Sequence, residues 1–112
     1  MADILDMGIL GSLQAIKKEG FFEKLVNLFA TDSARIASLV GEAIESGDPS
    51  KLEEVSHSLK SASSSIGAVH VSALAHELEM LGSGGSTEGA PELYQRLEQE
   101  LAAARDALRV LL

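Results

Sequence analysis

Leu52, Val55, Leu59, Ala62 and Ile66 recur at alternating steps of three and four residues. At about 100° per residue this spacing sets all five on one side of an α-helix, the mark of a helix that buries one face. Comparable stripes recur in blocks along the chain, most of them closed or opened by glycine or proline. A chain built this way has to bury several helical stripes against one another. Only 4% of residues are aromatic while 46% are hydrophobic, so Leu, Ile, Val and Ala must supply the core. A β-sandwich would draw more on β-branched and aromatic residues. The expectation is an all-α fold of one domain over residues 1–112.

Five helical segments are expected. The first runs roughly from Asp6 to Lys18, carries Ile9, Leu10, Leu13 and Ile16, and holds Gly8 and Gly11 inside it. The second runs from about Phe21 to Ser46, with Thr31, Asp32 and Ser33 marking a candidate kink. Asp48-Pro49 then forms a boundary, because aspartate caps a helix N-terminus and proline suits the first helical position. The third helix reaches to Gly67, and the fourth spans Val69 to Gly82 with Val71, Leu74, Ala75, Leu78 and Leu81 inward. Gly82 to Ala90 (GSGGSTEGA) is read as a flexible connection. Pro91 opens a fifth helix striped by Leu93, Leu97, Leu101, Ala104, Leu108 and Leu111. Long amphipathic helices with short connections pack as an antiparallel up-down-up-down four-helix bundle, with the short first helix covering one end.

Composition removes several function classes. There is no cysteine, which excludes disulfides, thiolate catalysis and cysteine-containing zinc sites. The net charge of −8 is the wrong sign for neutralising nucleic-acid phosphates or meeting an anionic membrane surface. No apolar run approaches the ~18 residues of a membrane span, and the start, MADILDMG, lacks the basic residues of a secretory signal. A cytoplasmic protein is expected.

The chemistry concentrates in His57 to Ala68, HSLKSASSSIGA. His57 points roughly 170° from the middle of the Leu52–Ile66 stripe, fully outward. Ser61 and Ser64, short side chains, lie ahead of it on its own face, so another protein can approach the ring. Lys60, one turn on, supplies a cation to attract and steady a phosphoryl group. Gly67 lets a neighbouring element come close.

These residues resemble the signature of the histidine-phosphotransfer (HPt) domain family, His-x-Leu-Lys-Gly-small-small-x-x-x-Gly-Ala, at His57, Leu59, Lys60, Ala62, Ser63, Gly67 and Ala68. Leu74, Leu78 and Glu79 continue the likeness on the next helix. Leu28 to Asp48 resembles the family's second helix and its turn, so the likeness spans essentially the whole chain. One position departs: Ser61 stands where the family has glycine, and its hydroxyl can reach the ring or a phosphoryl oxygen. The resemblance implies a phosphorelay intermediate of two-component signalling rather than an enzyme with turnover. His57 would accept a phosphoryl group from a receiver-domain aspartyl phosphate and hand it to another receiver. It also implies response-regulator receivers or a hybrid sensor histidine kinase as partners, a monomer, and no cofactor of its own, Mg²⁺ coming with the receiver. Exposed apolar residues on helices two and three are expected to form the docking face.

Two rival readings accompany this one. An interaction module of the same fold would bind a receiver or kinase without carrying phosphate. The phosphoacceptor helix pair of a sensor kinase would have an acidic residue directly after the histidine, where this chain has Ser58. Elsewhere, His76 is read as solvent-facing, and His70 as a residue that could approach His57 across the helix pair. Glu53 and Glu54 are read as a solvated face. GSGGS lacks the Gly-Lys-Ser/Thr ending of a phosphate loop.

Overall fold

The computed structural model describes residues 4–112, in five helices: α1 (Met7–Gln14), α2 (Phe21–Glu45), α3 (Pro49–Ser65), α4 (Val69–Ser83) and α5 (Ala90–Val110). Met1 to Asp3, which the reading of the N-terminus included, lie outside the described residues. Each of the four long helices packs on its neighbours in sequence, and α5 returns to α2, closing a ring. Ser64 meets Ser72 and His57 meets Glu79, so α3 and α4 run antiparallel. His70 on Glu100 and Tyr94 beside Gly41 set α4 against α5 and α5 against α2 in the same alternating sense. The bundle is the up-down-up-down arrangement expected from the stripes.

The buried apolar residues form one cluster at the centre of this ring. Leu52, Val55, Leu59 and Ile66 enter it from α3, Val71, Leu74, Ala75 and Leu78 from α4, and Leu97, Leu101, Ala104 and Leu108 from α5. Fully burying a leucine side chain contributes about 1.5–3 kcal/mol, so these stripes dominate the stability of the fold.

Three local details differ from expectation. α1 ends at Gln14 rather than Lys18. Its only buried residue is Leu10, while Ile9 and Ile16 are exposed, so no continuous apolar face supports another turn. α2 is unbroken through Thr31–Ser33. Ser33 is buried and donates to the Ala30 carbonyl, and Asp32 pairs outward with Arg35 at 2.9 Å, so these polar residues find partners without interrupting the helix. α4 runs through Gly82, its expected end, to Ser83, so the connection starts later than read. A Cβ at Gly82 would lie 2.5 Å from the Pro49 carbonyl oxygen and 2.7 Å from the Glu53 nitrogen, so glycine lets α4 seat directly on the start of α3. Leu28 of α2 is 64% exposed, in keeping with the exposed apolar surface expected on this helix.

The helix ends follow local chemistry. The Asp48 carboxylate accepts from the Lys51 N–H at 3.1 Å, and Pro49 occupies the first turn of α3. Asp6 caps α1 by accepting from the Gly8 and Ile9 N–H groups. The Asp6 N–H donates to the Gly67 carbonyl at 2.8 Å and Leu5 pairs with Ala68, which ties the chain ahead of α1 to the α3–α4 turn. Gly67 has φ 77°, and a Cβ would meet the Asp6 carbonyl oxygen at 3.1 Å. Both conformation and space therefore demand glycine there, as the sequence reading of a close approach anticipated.

Candidate functional site

The α3–α4 pair is the platform on which His57 stands. By helical arithmetic Ser56 and Ser63 lie on the α4 side of α3. Both are fully buried, and neither hydroxyl has a hydrogen-bond partner among the described residues. Leaving such groups unpaired costs stability, on the order of 1–3 kcal/mol each. What these small side chains permit, together with Ala75 and Gly82, is close packing of two helices whose outer residues then meet.

His57 is 59% exposed on the outer face, and its Nδ1 lies 2.6 Å from Oε2 of Glu79. Glu79 itself is only 14% exposed, and its Oε1 lies 2.5 Å from the Lys60 ammonium. The Lys60 hydrogen bond holds the Glu79 carboxyl below its usual range, assisted by the His57 hydrogen bond and by the charge of both residues, against burial, which raises it. Glu79 is therefore a carboxylate at neutral pH and can only accept hydrogen bonds. In neutral His57 the proton must then sit on Nδ1, which leaves the lone pair on Nε2 at the opposite, outward edge of the ring. This arrangement produces an oriented, exposed nucleophile.

The expected site residues divide. Lys60 is near His57, but it is committed to Glu79 and half-buried rather than reaching out for a phosphoryl group. Ser61 is exposed one turn ahead of His57, and its hydroxyl makes no hydrogen bond among the described residues. Its carbonyl accepts from the Ser65 hydroxyl at 2.9 Å. Ser64 is turned to α4, its Oγ 2.6 Å from Ser72 Oγ. His70 does not approach His57; its Nδ1 lies 3.2 Å from Glu100 on the α5 side of α4. Glu53 and Glu54 are exposed as expected, Glu54 within 3.7 Å of Lys51.

Glu79 had no assigned role in the sequence reading. The signal was available: α3 and α4 fold back at Gly67, and reflecting His57 through that turn arrives close to Glu79. His76, exposed as expected, has its Nδ1 3.7 Å from Glu79 Oε1. Two apolar depressions flank the His57 face. One, of about 320 Å³, lies between Phe21, Leu25 and Leu28 of α2 and Ala62 and Ile66 at the end of α3. The other, about 400 Å³, joins Ile9 of α1 to Val69 and Ala73 of α4, beside Ser64, Ser72 and His76. Exposed apolar surface was expected from helices two and three; α2 supplies it together with Ala62 of α3, and α1 and α4 add the remainder.

Comparison with known proteins identifies the family and the fold. The Hpt domain profile matches residues 24–107. Histidine-containing phosphotransfer protein 4 of Arabidopsis thaliana is 32% identical over 101 residues, covering 88% of this chain and 80% of that protein. The crystal structure of histidine-containing phosphotransfer protein B from Pseudomonas aeruginosa superposes with a TM-score of 0.90 at 31% identity, covering 97% of this chain and 94% of that one. A putative histidine-containing phosphotransfer protein from rice shares the fold at 22% identity, with a TM-score of 0.84 over 95% of this chain and 79% of that one. By its sequence match over most of its length and by its helical bundle, the chain belongs to the Hpt domain family, the phosphorelay intermediates of two-component signalling.

Proposed function

We propose that His57 is the phosphoacceptor, taking a phosphoryl group from the aspartyl phosphate of a receiver domain and returning it to another. The observation that carries this reading is the 2.6 Å contact between His57 Nδ1 and Glu79, which leaves Nε2 outward on an exposed ring. In the forward step Nε2 attacks phosphorus in line, the N–P bond forms, the O–P bond breaks and the aspartate carboxylate leaves. Positive charge develops on the ring as the bond forms, and the Glu79 carboxylate at Nδ1–H stabilises it. Return of the phosphoryl group reverses each bond change. Lys60 keeps Glu79 ionised and in place, and so acts through it. Ser61 is small enough to leave the approach open and carries a hydroxyl within one helical turn of the ring. The Mg²⁺ that such a transfer uses is assigned to the receiver.

The apolar depressions on either side of His57 suit a receiver that covers the ring and excludes water during transfer. A cytoplasmic monomer suits the role, because a carrier must leave one partner to meet the next. The test is incubation with a receiver phosphorylated on aspartate, followed by assay for acid-labile, base-stable label. Label on the wild type and none on His57→Gln is the expected result. Binding of the receiver without any transfer would instead support the interaction module that carries no phosphate.

A further inference from the structure

Glu79 holds His57 and Lys60 together, so it approaches α3 on the Lys60 side of the histidine. Seen down the helix axis, Lys60 lies about 60° to one side of His57 and Ser61 about 40° to the other. The imidazole is thus tethered through Nδ1 on one flank, and Ser61 stands on the free flank, one turn ahead. Side chains of an α-helix lean toward its N-terminus, so the Ser61 side chain leans back over the turn that carries His57. Residues four apart are surface neighbours with Cβ atoms about 5–6 Å apart, a gap that a phosphoryl group on the ring fills. Building on the reading that His57 carries phosphate, we infer that the Ser61 hydroxyl donates a hydrogen bond to an oxygen of the phosphoryl group on Nε2 and so retains that group on this protein.

The Ser61 hydroxyl is free for this. Ser58 and Ser65 of the same helix donate to the carbonyls of Glu54 and Ser61, and Ser64 shares a hydrogen bond with Ser72. The matching acceptor for Ser61 is the His57 carbonyl, and that bond is absent among the described residues. No other exposed side chain within one turn of His57 on α3 can take this part. Glu53 and Glu54 offer acceptors rather than donors, Ser58 is bonded to its own helix, and Lys60 is held by Glu79. The serine keeps its proton throughout. At phosphorus the N–P bond to His57 still forms as the O–P bond of the aspartyl phosphate breaks, and the hydroxyl shares in neither. Its hydrogen bond exists only while the group sits on Nε2, so it weighs on the phosphohistidine side of the exchange. The glycine that the family has at this position offers no side-chain donor, so this retention belongs to the present chain rather than to the fold.

A hydrogen bond from a neutral hydroxyl to a charged acceptor in contact with solvent shifts the exchange equilibrium by about three- to tenfold. The experiment compares wild type, Ser61→Ala and Ser61→Thr, each phosphorylated by a receiver that carries aspartyl phosphate. The exchange equilibrium is measured first; the phosphorylated protein, freed of receiver, is then followed by phosphorus NMR as it hydrolyses. Ser61→Ala is expected to move the equilibrium toward the receiver by that factor, displace the phosphohistidine signal and shorten its lifetime. Ser61→Thr, which keeps the hydroxyl, is expected to stay near wild type, and circular dichroism establishes that both variants fold. Equal equilibria and phosphorus signals for wild type and Ser61→Ala, or the same loss in Ser61→Thr as in Ser61→Ala, overturn the inference and leave the role of His57 intact. No transfer to His57 overturns both.

Discussion

Glu79 Oε2 lies 2.6 Å from His57 Nδ1 across the α3–α4 interface, and the same carboxylate holds Lys60 through its other oxygen. The pair joins residues 22 positions apart, so its geometry depends on how closely the two helices pack. A histidine that looks like a lone surface residue in sequence thus has one edge anchored and the other presented.

Removing that anchor should slow the chemistry more than it disturbs the fold. Glu79→Ala frees the ring to rotate and to exchange tautomers, and transfer should fall by about one to two orders of magnitude. Glu79→Gln retains an acceptor for Nδ1–H and should lose less. Transfer rates from a phosphorylated receiver, with circular dichroism to confirm folding, provide the measurement. Equal rates for both variants and the wild type would exclude the orienting role.

The same carboxyl predicts an acid dependence of stability. Its pKa is lowered in the folded protein from an ordinary value of 4.5, so the folded state favours the ionised form. The stabilisation is present in full well above 4.5 and is lost as pH falls through the lowered folded value. The wild-type advantage in Tm over Glu79→Gln should therefore be constant near neutrality and shrink below about pH 4.5. Thermal melts of both proteins between pH 3 and 7 test this, and an advantage that grows on acidification would contradict it.

Ser61 is exposed and engages its side chain with nothing among the described residues, so its substitution should leave stability within about 0.5 kcal/mol. Ser61→Leu should nevertheless reduce transfer at least about tenfold by obstructing approach to Nε2, whereas Ser61→Gly should remain active. Comparable transfer by Ser61→Leu would mean that the receiver approaches from elsewhere.

Leu28 is 64% exposed at the rim of the α2–α3 depression. Leu28→Asp should weaken receiver binding about tenfold, about 1.4 kcal/mol, with little change in Tm. Titration calorimetry against a receiver reads this directly, and unchanged affinity would remove the α2 side from the docking face.

Gly82→Ala tests the packing that brings His57 to Glu79. The added methyl would meet backbone atoms at 2.5 and 2.7 Å, and a backbone cannot rotate away as a side chain does. Destabilisation of about 1–3 kcal/mol is expected by chemical denaturation. Transfer should slow as well, since separating the helices lengthens the His57–Glu79 contact.

Much of the bundle was legible in sequence because burial of a stripe is a local, periodic property. Leu52, Val55, Leu59 and Ile66 could be assigned to the core from spacing alone, and the Asp48-Pro49 start of α3 from capping chemistry. Misreadings arose where a residue's neighbour is distant in sequence. Gly82 read as a helix end opening a linker because its reason, the Pro49 and Glu53 backbone, lies on another helix. The polar interruption at Thr31–Ser33 has a different cause. It leaves α2 unbroken because Ser33 and Asp32 find their partners within one turn of the same helix.

The outward direction of His57 was determined by the sequence itself, because 3.6 residues per turn sets it opposite the apolar stripe of its own helix. Which nitrogen is presented, and whether Lys60 is available to a phosphoryl group, was decided only by the tertiary structure. Both depend on Glu79 arriving from the antiparallel helix. Small residues at the α3–α4 contact and the turn at Gly67 bring it to 2.6 Å from the ring, a distance that no spacing along one helix specifies.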